Sequence, residues 1–323
     1  MKDINTEKIT GLSAFFANCY SLKDISVLAD WDAYKNTYIE WMFSYCNSLT
    51  DISPLANWDV SKASHSAGVF RGCGSLSDIS PLAGWDTRNF TSLEVFFEST
   101  IVSDISVLAN WDVSNVTVMN SMLAHTLITN VDAIADWDVS KVEGMHAMFY
   151  EVSTLTDISG LSSWQTSSLN NIRSMFLSCS GITDISALAN WDVSKVETMY
   201  CAFYHCTGIT TLSPLSGWVT SSNKDMYSTF AGCTGLTNLT GLGSWDVSKV
   251  ENMVKTFNGC TGLTSATAIN NWNIIAVPYT ANTEAGNGFW YMFYGCTVHP
   301  TFSKRSGTWP KVNNKFASFV PSS

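Results

Sequence analysis

Charge is scarce in this chain. Only 14% of its 323 residues are Asp, Glu, Lys or Arg, and 17 basic residues face 27 acidic ones, for a net charge of −10. So few basic residues exclude the cationic stripe that a nucleic-acid backbone requires, and they argue equally against an anionic lipid surface. Histidine is sparser still: His65, His125, His146, His205 and His299 fall at unrelated places. No nucleophile elbow, phosphate-cradling glycine loop or zincin helix is present. These gaps argue against an enzyme, and no catalytic residue, cofactor or metal is expected; Cys201, His205 and Cys206 are close in sequence but belong to different faces of the unit. No run of ~18 apolar residues occurs, so direct membrane insertion is not expected. The opening stretch Met1-Lys2-Asp3-Ile4-Asn5-Thr6-Glu7-Lys8 has no apolar core of a secretory leader. Hydrophobic residues nonetheless make up 46% of the chain, which predicts an ordered fold. With charge so rare, its surface must be built from Ser, Thr, Asn and Tyr, a face suited to protein or saccharide contacts.

What the chain has in quantity is tryptophan at a fixed interval. Trp31, Trp58, Trp85, Trp111, Trp137, Trp164, Trp191, Trp218, Trp245 and Trp272 follow one another at 26 or 27 residues. A period of this size marks a solenoid, whose units are too small to hold a core alone and stack on their neighbours. Eight of the nine cysteines share one position in the unit: Cys19, Cys46, Cys73, Cys179, Cys206, Cys233, Cys260 and Cys296. Thr100, Thr126 and Val152 take the same place elsewhere, so disulfide bonding is not what the position requires. Reduced, buried thiols acting as small hydrophobes are expected.

Within a unit, Val142, Met145, Met148 and Phe149 have the spacing of one apolar helical stripe, repeated by Val196, Met199, Ala202 and Phe203. Ser140 with Glu143, Ser194 with Glu197, and Ser248 with Glu251 read as capping boxes at the starts of helices about ten residues long. Asp138, Asp192 and Asp246 precede them as Asx-type turns. Segments such as Leu49-Thr50-Asp51-Ile52-Ser53 and Ile182-Thr183-Asp184-Ile185-Ser186 alternate like short strands. Pro54-Leu55-Ala56-Asn57-Trp58 then reads as a loop. The expected fold is therefore α/β, a right-handed leucine-rich-repeat-like solenoid with parallel strands on one face and short helices on the other. Phe-like anchors from Phe16 to Phe293 give about eleven repeats, a stack of roughly 50 Å. A second column, Asp24, Asp51, Asp78, Asp104, Asp157 and Asp184, invites calcium bridging. Thr211, Asn238 and Ser265 at the same place favour backbone capping instead.

The phrase Trp-Asp-Val-Ser-x-Val-x-x-Met-x-x-Met-Phe-x-x-Cys-x-x-Leu-x-Asp-Ile-Ser resembles the BspA-like bacterial surface-protein repeat, a leucine-rich-repeat relative, over residues 10 to 299. That resemblance implies a non-enzymatic, surface-exposed or secreted protein, often an adhesin, that binds a protein or glycan receptor on a host or neighbouring cell. The chain as given shows no leader, lipobox cysteine or anchor, which leaves a phage virion protein as the alternative.

The expected organisation is an N-terminal cap and partial repeat over 1–30, the solenoid over 31–299, and a C-terminal cap or tail over 300–323. Departures from regularity are the candidate contact sites. Phe257 to Phe293 spans 36 residues instead of 27, with an insertion at about 274–288. Tyr279, Asn282 and Asn287 lie in it, and Trp290 and Tyr291 follow. These residues form either a binding site or a shield over the end of the stack. At the other end Tyr34, Tyr38 and Trp41 make either a binding strip or an aromatic cap. Tyr150, Tyr200, Tyr204 and Tyr294 are placed just beside the core stripe.

Overall fold

The computed structural model describes residues 11–31 and 37–322. Each repeat is one rung of a solenoid, and the interior of the stack is a set of single-residue columns. The Trp column is 2–8% exposed from Trp272 to Trp31. From Trp58 to Trp272 each indole donates to a carbonyl one rung back, as in Trp191 Nε1 to Leu161 O at 3.0 Å and Trp218 Nε1 to Leu188 O at 2.8 Å. Phenylalanine rings stack face to face beside it, with Phe176–Phe203 centroids 5.6 Å apart and Phe203–Phe230 centroids 5.5 Å apart. No rung encloses these side chains alone. Each ring is covered only because the next rung lies on it, which is why the period persists along the chain.

The cysteine column is reduced and, apart from exposed Cys19, buried. Its thiols have a polar task as well as a packing one. Cys206 Sγ donates to Phe176 O at 3.0 Å, and Cys233 Sγ to Phe203 O at 3.1 Å. Thr100 and Thr126 offer a hydroxyl donor at the same place, bonding to Phe97 O and Leu123 O. Burial pushes the Cys179, Cys233 and Cys296 thiols up to about 12.

The expected helices and strands are not there. Among the described residues there is no α-helix. The segment Met145–Val152 instead makes overlapping turns: Met148 N bonds back to Met145 O, Tyr150 N to Ala147 O and Val152 N to Phe149 O. The intervening amides cross to the next rung, Met145 N to Asn171 O, Ala147 N to Arg173 O, Phe149 N to Met175 O and Glu151 N to Leu177 O, at 2.7–3.1 Å. Ala147 and Glu151 take positive φ, 54° and 57°, and the equivalent pair does so in other rungs, for instance Cys201 with His205 and Ser174 with Ser178. Tight turns repeated every few residues return the same side chains inward as a helix does. The apolar spacing therefore reported which residues face the core, and not where the amides bond. The capping boxes fail with the helices: the Glu143, Glu197 and Glu251 amides bond to carbonyls of the preceding rung.

Parallel pairing falls mainly on this same face, as single bridges such as Gly144 with Asn171, Asn171 with Thr198 and Thr198 with Asp225. The segments read as strands carry Asx turns instead, with Asp51 Oδ1 accepting from Ser53 N and Asp184 Oδ1 from Ser186 N, both at 2.8 Å. Backbone capping thus accounts for the Asp column, and the Ser106 and Ser159 amides hold the Asp104 and Asp157 carboxyls below the usual carboxylate range. The loop after it winds into a 3-10 turn, Ser53–Leu55 or Ser186–Leu188. Proline at the second position, as in Ser80–Gly84, suits a turn whose first amides have no partner.

At the C-terminal end four two-residue strands follow the last rung: β1 (Gly307–Thr308) pairs with β4 (Val320–Pro321), and β2 (Lys311–Val312) with β3 (Lys315–Phe316), both antiparallel. Asn313 and Asn314 join β2 to β3 with positive φ at both, the geometry of a type I′ hairpin turn. Phe302 and Phe319 are buried, and Ser303 N bonds to Asn270 O. Arg305 Nη1 reaches the Ile274 and Val277 carbonyls at 3.1 and 2.6 Å, fixing the tail against the start of the insertion.

Candidate functional site

The turn face is where residue identity changes from rung to rung. Because the backbone there is held by bonds to the next rung, side chains at each position fall into columns at the repeat spacing. One column reads Asn120, His146, Arg173, Tyr200, Tyr227. A neighbouring one reads Ala124, Tyr150, Leu177, Tyr204, Ala231, Asn258. Between them lies the positive-φ column Ser121, Ala147, Ser174, Cys201, Ser228, Lys255. Small residues there keep the middle low while the outer columns stand up as walls. The result is a groove of about 760 Å³ running along the stack from the Glu98 rung to the Asn258 rung.

Two of its wall tyrosines, Tyr200 and Tyr227, have their faces already taken. Tyr200 and Tyr227 stack at 4.7 Å and 7°. The Arg173 guanidinium sits 4.2 Å from the Tyr200 centroid, and Lys255 Nζ lies 5.7 Å from that of Tyr227. Tyr204 packs on His205 at 4.3 Å and Tyr150 on His125 at 5.1 Å. Tyr200 and Tyr227 therefore present ring edge and phenol hydroxyl to a ligand. Burial pushes the Tyr150 and Tyr200 phenols up from the ordinary value, so both stay protonated and able to donate. Burial also pushes the Cys201 thiol up to about 11, which keeps it un-ionised at neutral pH. Burial, then the Arg173 charge, lowers His146 and keeps its imidazole neutral.

The charges along the groove are mostly paired. Glu98 Oε2 meets Arg71 Nε at 2.6 Å, Lys255 Nζ meets Glu284 Oε1 at 2.7 Å, and His125 lies 3.4 Å from Glu151. Arg173 has the Tyr200 ring as its partner and, among the described residues, no carboxylate within ion-pair distance. No cluster of His, Cys, Asp or Glu suited to a metal is present among the described residues. There is likewise no helix long and apolar enough to cross a membrane.

The expected contact residues lie at the two ends of this face, not in its middle. Trp290, Tyr291 and Tyr294 stack in sequence at 4.6 Å per step, directly after the Lys255 rung. Tyr279 is half-buried and pairs with Asn287 in an antiparallel bridge. Asn287 itself is 1% exposed, its amide donating to Asn282 Oδ1 and Phe319 O and accepting from Phe289 N. That side chain is spent on joining insertion to tail, so it is a positioning residue; Asn282 remains exposed. Tyr38 is exposed with its ring 4.7 Å from that of His65. Trp41 lies over Gly68, where a Cβ would come within 2.3 Å of its ring. Tyr34 falls outside the described residues. Arg173, Tyr227 and Lys255 were not singled out from the sequence. The signal was available: Arg173, Tyr200 and Tyr227 follow one another at 27 residues, so reading down a repeat position places them in one file.

A stack of 26- and 27-residue rungs with a side-chain-lined groove along one face defines a non-globular repeat protein. The chain belongs to the family described as Mycoplasma protein of unknown function, DUF285, whose profile matches residues 1–106, 69–184, 101–212 and 182–297. These overlapping matches fit the BspA-like leucine-rich repeat that the recurring phrase resembles. Among solved structures, the chain is similar to a leucine-rich cell surface protein from Faecalibacterium prausnitzii, with 16% identity, 86% of this chain and 78% of that one covered, and a TM-score of 0.40. It is similar also to a leucine-rich repeat protein from Bacteroides ovatus, with 14% identity, coverage of 83% and 80%, and a TM-score of 0.27. A third is the functional domain of InlJ from Listeria monocytogenes, with 15% identity, coverage of 83% and 61%, and a TM-score of 0.26. No curated protein matches the chain.

Proposed function

We propose that this chain is a non-catalytic recognition or adhesion module, a right-handed stack of about eleven rungs displayed at a cell surface or secreted, and that it binds a partner protein. The observation that carries this reading is the contrast between fixed interior columns and the variable turn face, with its groove of about 760 Å³. A rigid scaffold that varies only where side chains reach solvent is how a solenoid acquires a binding surface without altering its fold. A glycan receptor is the weaker form of the reading, because the faces of the central pair Tyr200 and Tyr227, on which a sugar ring would stack, are covered by Arg173, Lys255 and each other.

The test is binding of the purified chain to host and bacterial cell surfaces and to arrays of extracellular-matrix proteins and glycans. Saturable binding that is lost when the surface is treated with protease, and kept after glycosidase treatment, is the expected result. Folded protein that binds none of these surfaces, or binding removed only by glycosidase, overturns it.

A further inference from the structure

The groove holds one cation, Arg173, that closes no ion pair among the described residues, in a chain whose net charge is −10; the half-buried Asp225 carboxyl feels its charge without reaching salt-bridge distance. Arg173 projects from the middle rung, held over the Tyr200 ring at 4.2 Å. Stacking on an aromatic face fixes the plane of a guanidinium while leaving its N–H edge free for a carboxylate, the bidentate geometry at which arginine excels. Glu98, the acid lining the groove, is committed to Arg71 at 2.6 Å, so it does not compete. From this arrangement we propose that the groove takes an extended acidic segment of a partner polypeptide, Arg173 receiving an Asp or Glu side chain. The Tyr150, Tyr200 and Tyr204 hydroxyls donate to the segment's main-chain carbonyls. This inference rests on the protein-recognition reading above and names its site and partner chemistry.

Shape supports the same occupant. The small floor residues Ala147, Ser174 and Ser228 lie in the positive-φ column, where any larger side chain would fill the trough. From the Glu98 rung to the Asn258 rung the trough crosses six inter-rung steps, roughly 29 Å at the ~4.8 Å spacing of paired strands, or about nine residues of extended chain. Its volume falls within the range of clefts that bury a ligand. With the ring faces of Tyr200 and Tyr227 occupied, a backbone rich in acceptors fits the centre of the trough better than a pyranose ring.

The probe is a fluorescently labelled library of peptides about nine residues long, matching the span of the trough, with the central position fixed as Glu, Gln or Lys and random flanks. We expect Glu peptides to bind roughly tenfold more tightly than Gln peptides, as a charge-assisted bond replaces a neutral one, and Lys peptides not to bind. R173Q should erase the Glu preference and R173K keep part of it, while raised salt weakens only the Glu set. Equal binding of Glu and Gln peptides, no binding of any set, or an undiminished Glu preference in R173Q each overturns the proposal. The cell-surface assay run on R173Q separates the two readings. If the wild type shows no acidic preference while both it and R173Q bind the surface, the groove assignment fails and protein recognition stands; if folded wild-type protein binds neither peptide nor surface, both fall.

Discussion

Trp191 and Trp218 occupy equivalent places in adjacent rungs and do the same thing: each is buried, and each ties its indole to a carbonyl behind it. Arg173 and Tyr200 also occupy equivalent places in adjacent rungs, yet one is a cation and the other a phenol, and they interact because they differ. The interior restricts identity because each buried side chain must fill the space over its predecessor, and in the Phe file only Leu123, between Phe97 and Phe149, departs from a ring. The turn face tolerates change because its backbone is held by cross-rung amide bonds that no side chain supplies. Stability is thus assigned to the interior columns, and side-chain variation to the turn face.

The largest test of that division is alkali. A buried thiol whose folded value is raised stays protonated in the stack but ionises in the unfolded chain. Its stabilising contribution is whole below the unfolded value near 8.5 and is lost as pH climbs toward the folded value. Cys179, Cys233 and Cys296 are raised to about 12, and Cys206 and Cys260 rise in the same direction. At pH 10 each should cost roughly 1–2 kcal/mol of stability, several kcal/mol together. Denaturant midpoints measured between pH 8 and 10 check this, and replacing Cys179, Cys206 and Cys233 by Thr should flatten the profile. A profile of equal slope in that variant would show the thiols to be bystanders.

Next in size is Trp191→Ala, expected to cost about 3–5 kcal/mol in a chemical melt as an aromatic is removed from a close-packed file. A loss under about 1 kcal/mol would place the indole outside the core. Gly68→Ala probes the boundary between the two regimes, since Gly68 has a φ of 64° and lies under the Trp41 ring. We expect a loss of about 1–3 kcal/mol, from left-handed backbone and overpacking together. The loss should shrink when Trp41 is also changed to Ala; an unchanged loss would assign the whole effect to the backbone. Smallest is Arg173→Gln, expected to shift stability by less than about 0.5 kcal/mol, as a half-exposed groove residue should. A larger fall would move Arg173 from the recognition surface to the scaffold.

The sequence made the interior plain and the hydrogen bonding obscure. Trp, Phe and Cys repeat at intervals that have one meaning, a file of like residues in a stack. The free thiols were legible because Thr100, Thr126 and Val152 share their place. The apolar spacing from Val142 to Phe149 had two meanings. A helix satisfies its amides within the segment, whereas this backbone sends alternate amides to the next rung and needs left-handed residues such as Ala147 and Glu151. No local propensity announces that choice, since αL costs roughly 1–2 kcal/mol per non-glycine residue and only the neighbouring rung compensates it. The aromatic ends of the turn face were found because they break the pattern. At its centre Tyr150, Tyr200 and Tyr204 were legible beside the core stripe, whereas Arg173 and Tyr227 were missed because they keep the register while changing chemistry.

Junctions between rungs run in both directions at once. Turn-face amides reach forward, as from Ala147 to Arg173, while amides such as that of Glu143, the indoles and the thiols reach back, as from Glu143 to Thr117, Trp191 to Leu161 and Cys206 to Phe176. Any rung therefore offers its successor the same set of sockets, and excising one whole period leaves the two new neighbours matched. Removing residues 186–212 would join Ile185 to Ser213, whose predecessor Leu212 stands where Ile185 does. The shortened protein would still fold, and Arg173 would find Tyr227 above it in place of Tyr200. Gain or loss of a period is in this way a means of shuffling the binding surface while leaving its foundation untouched.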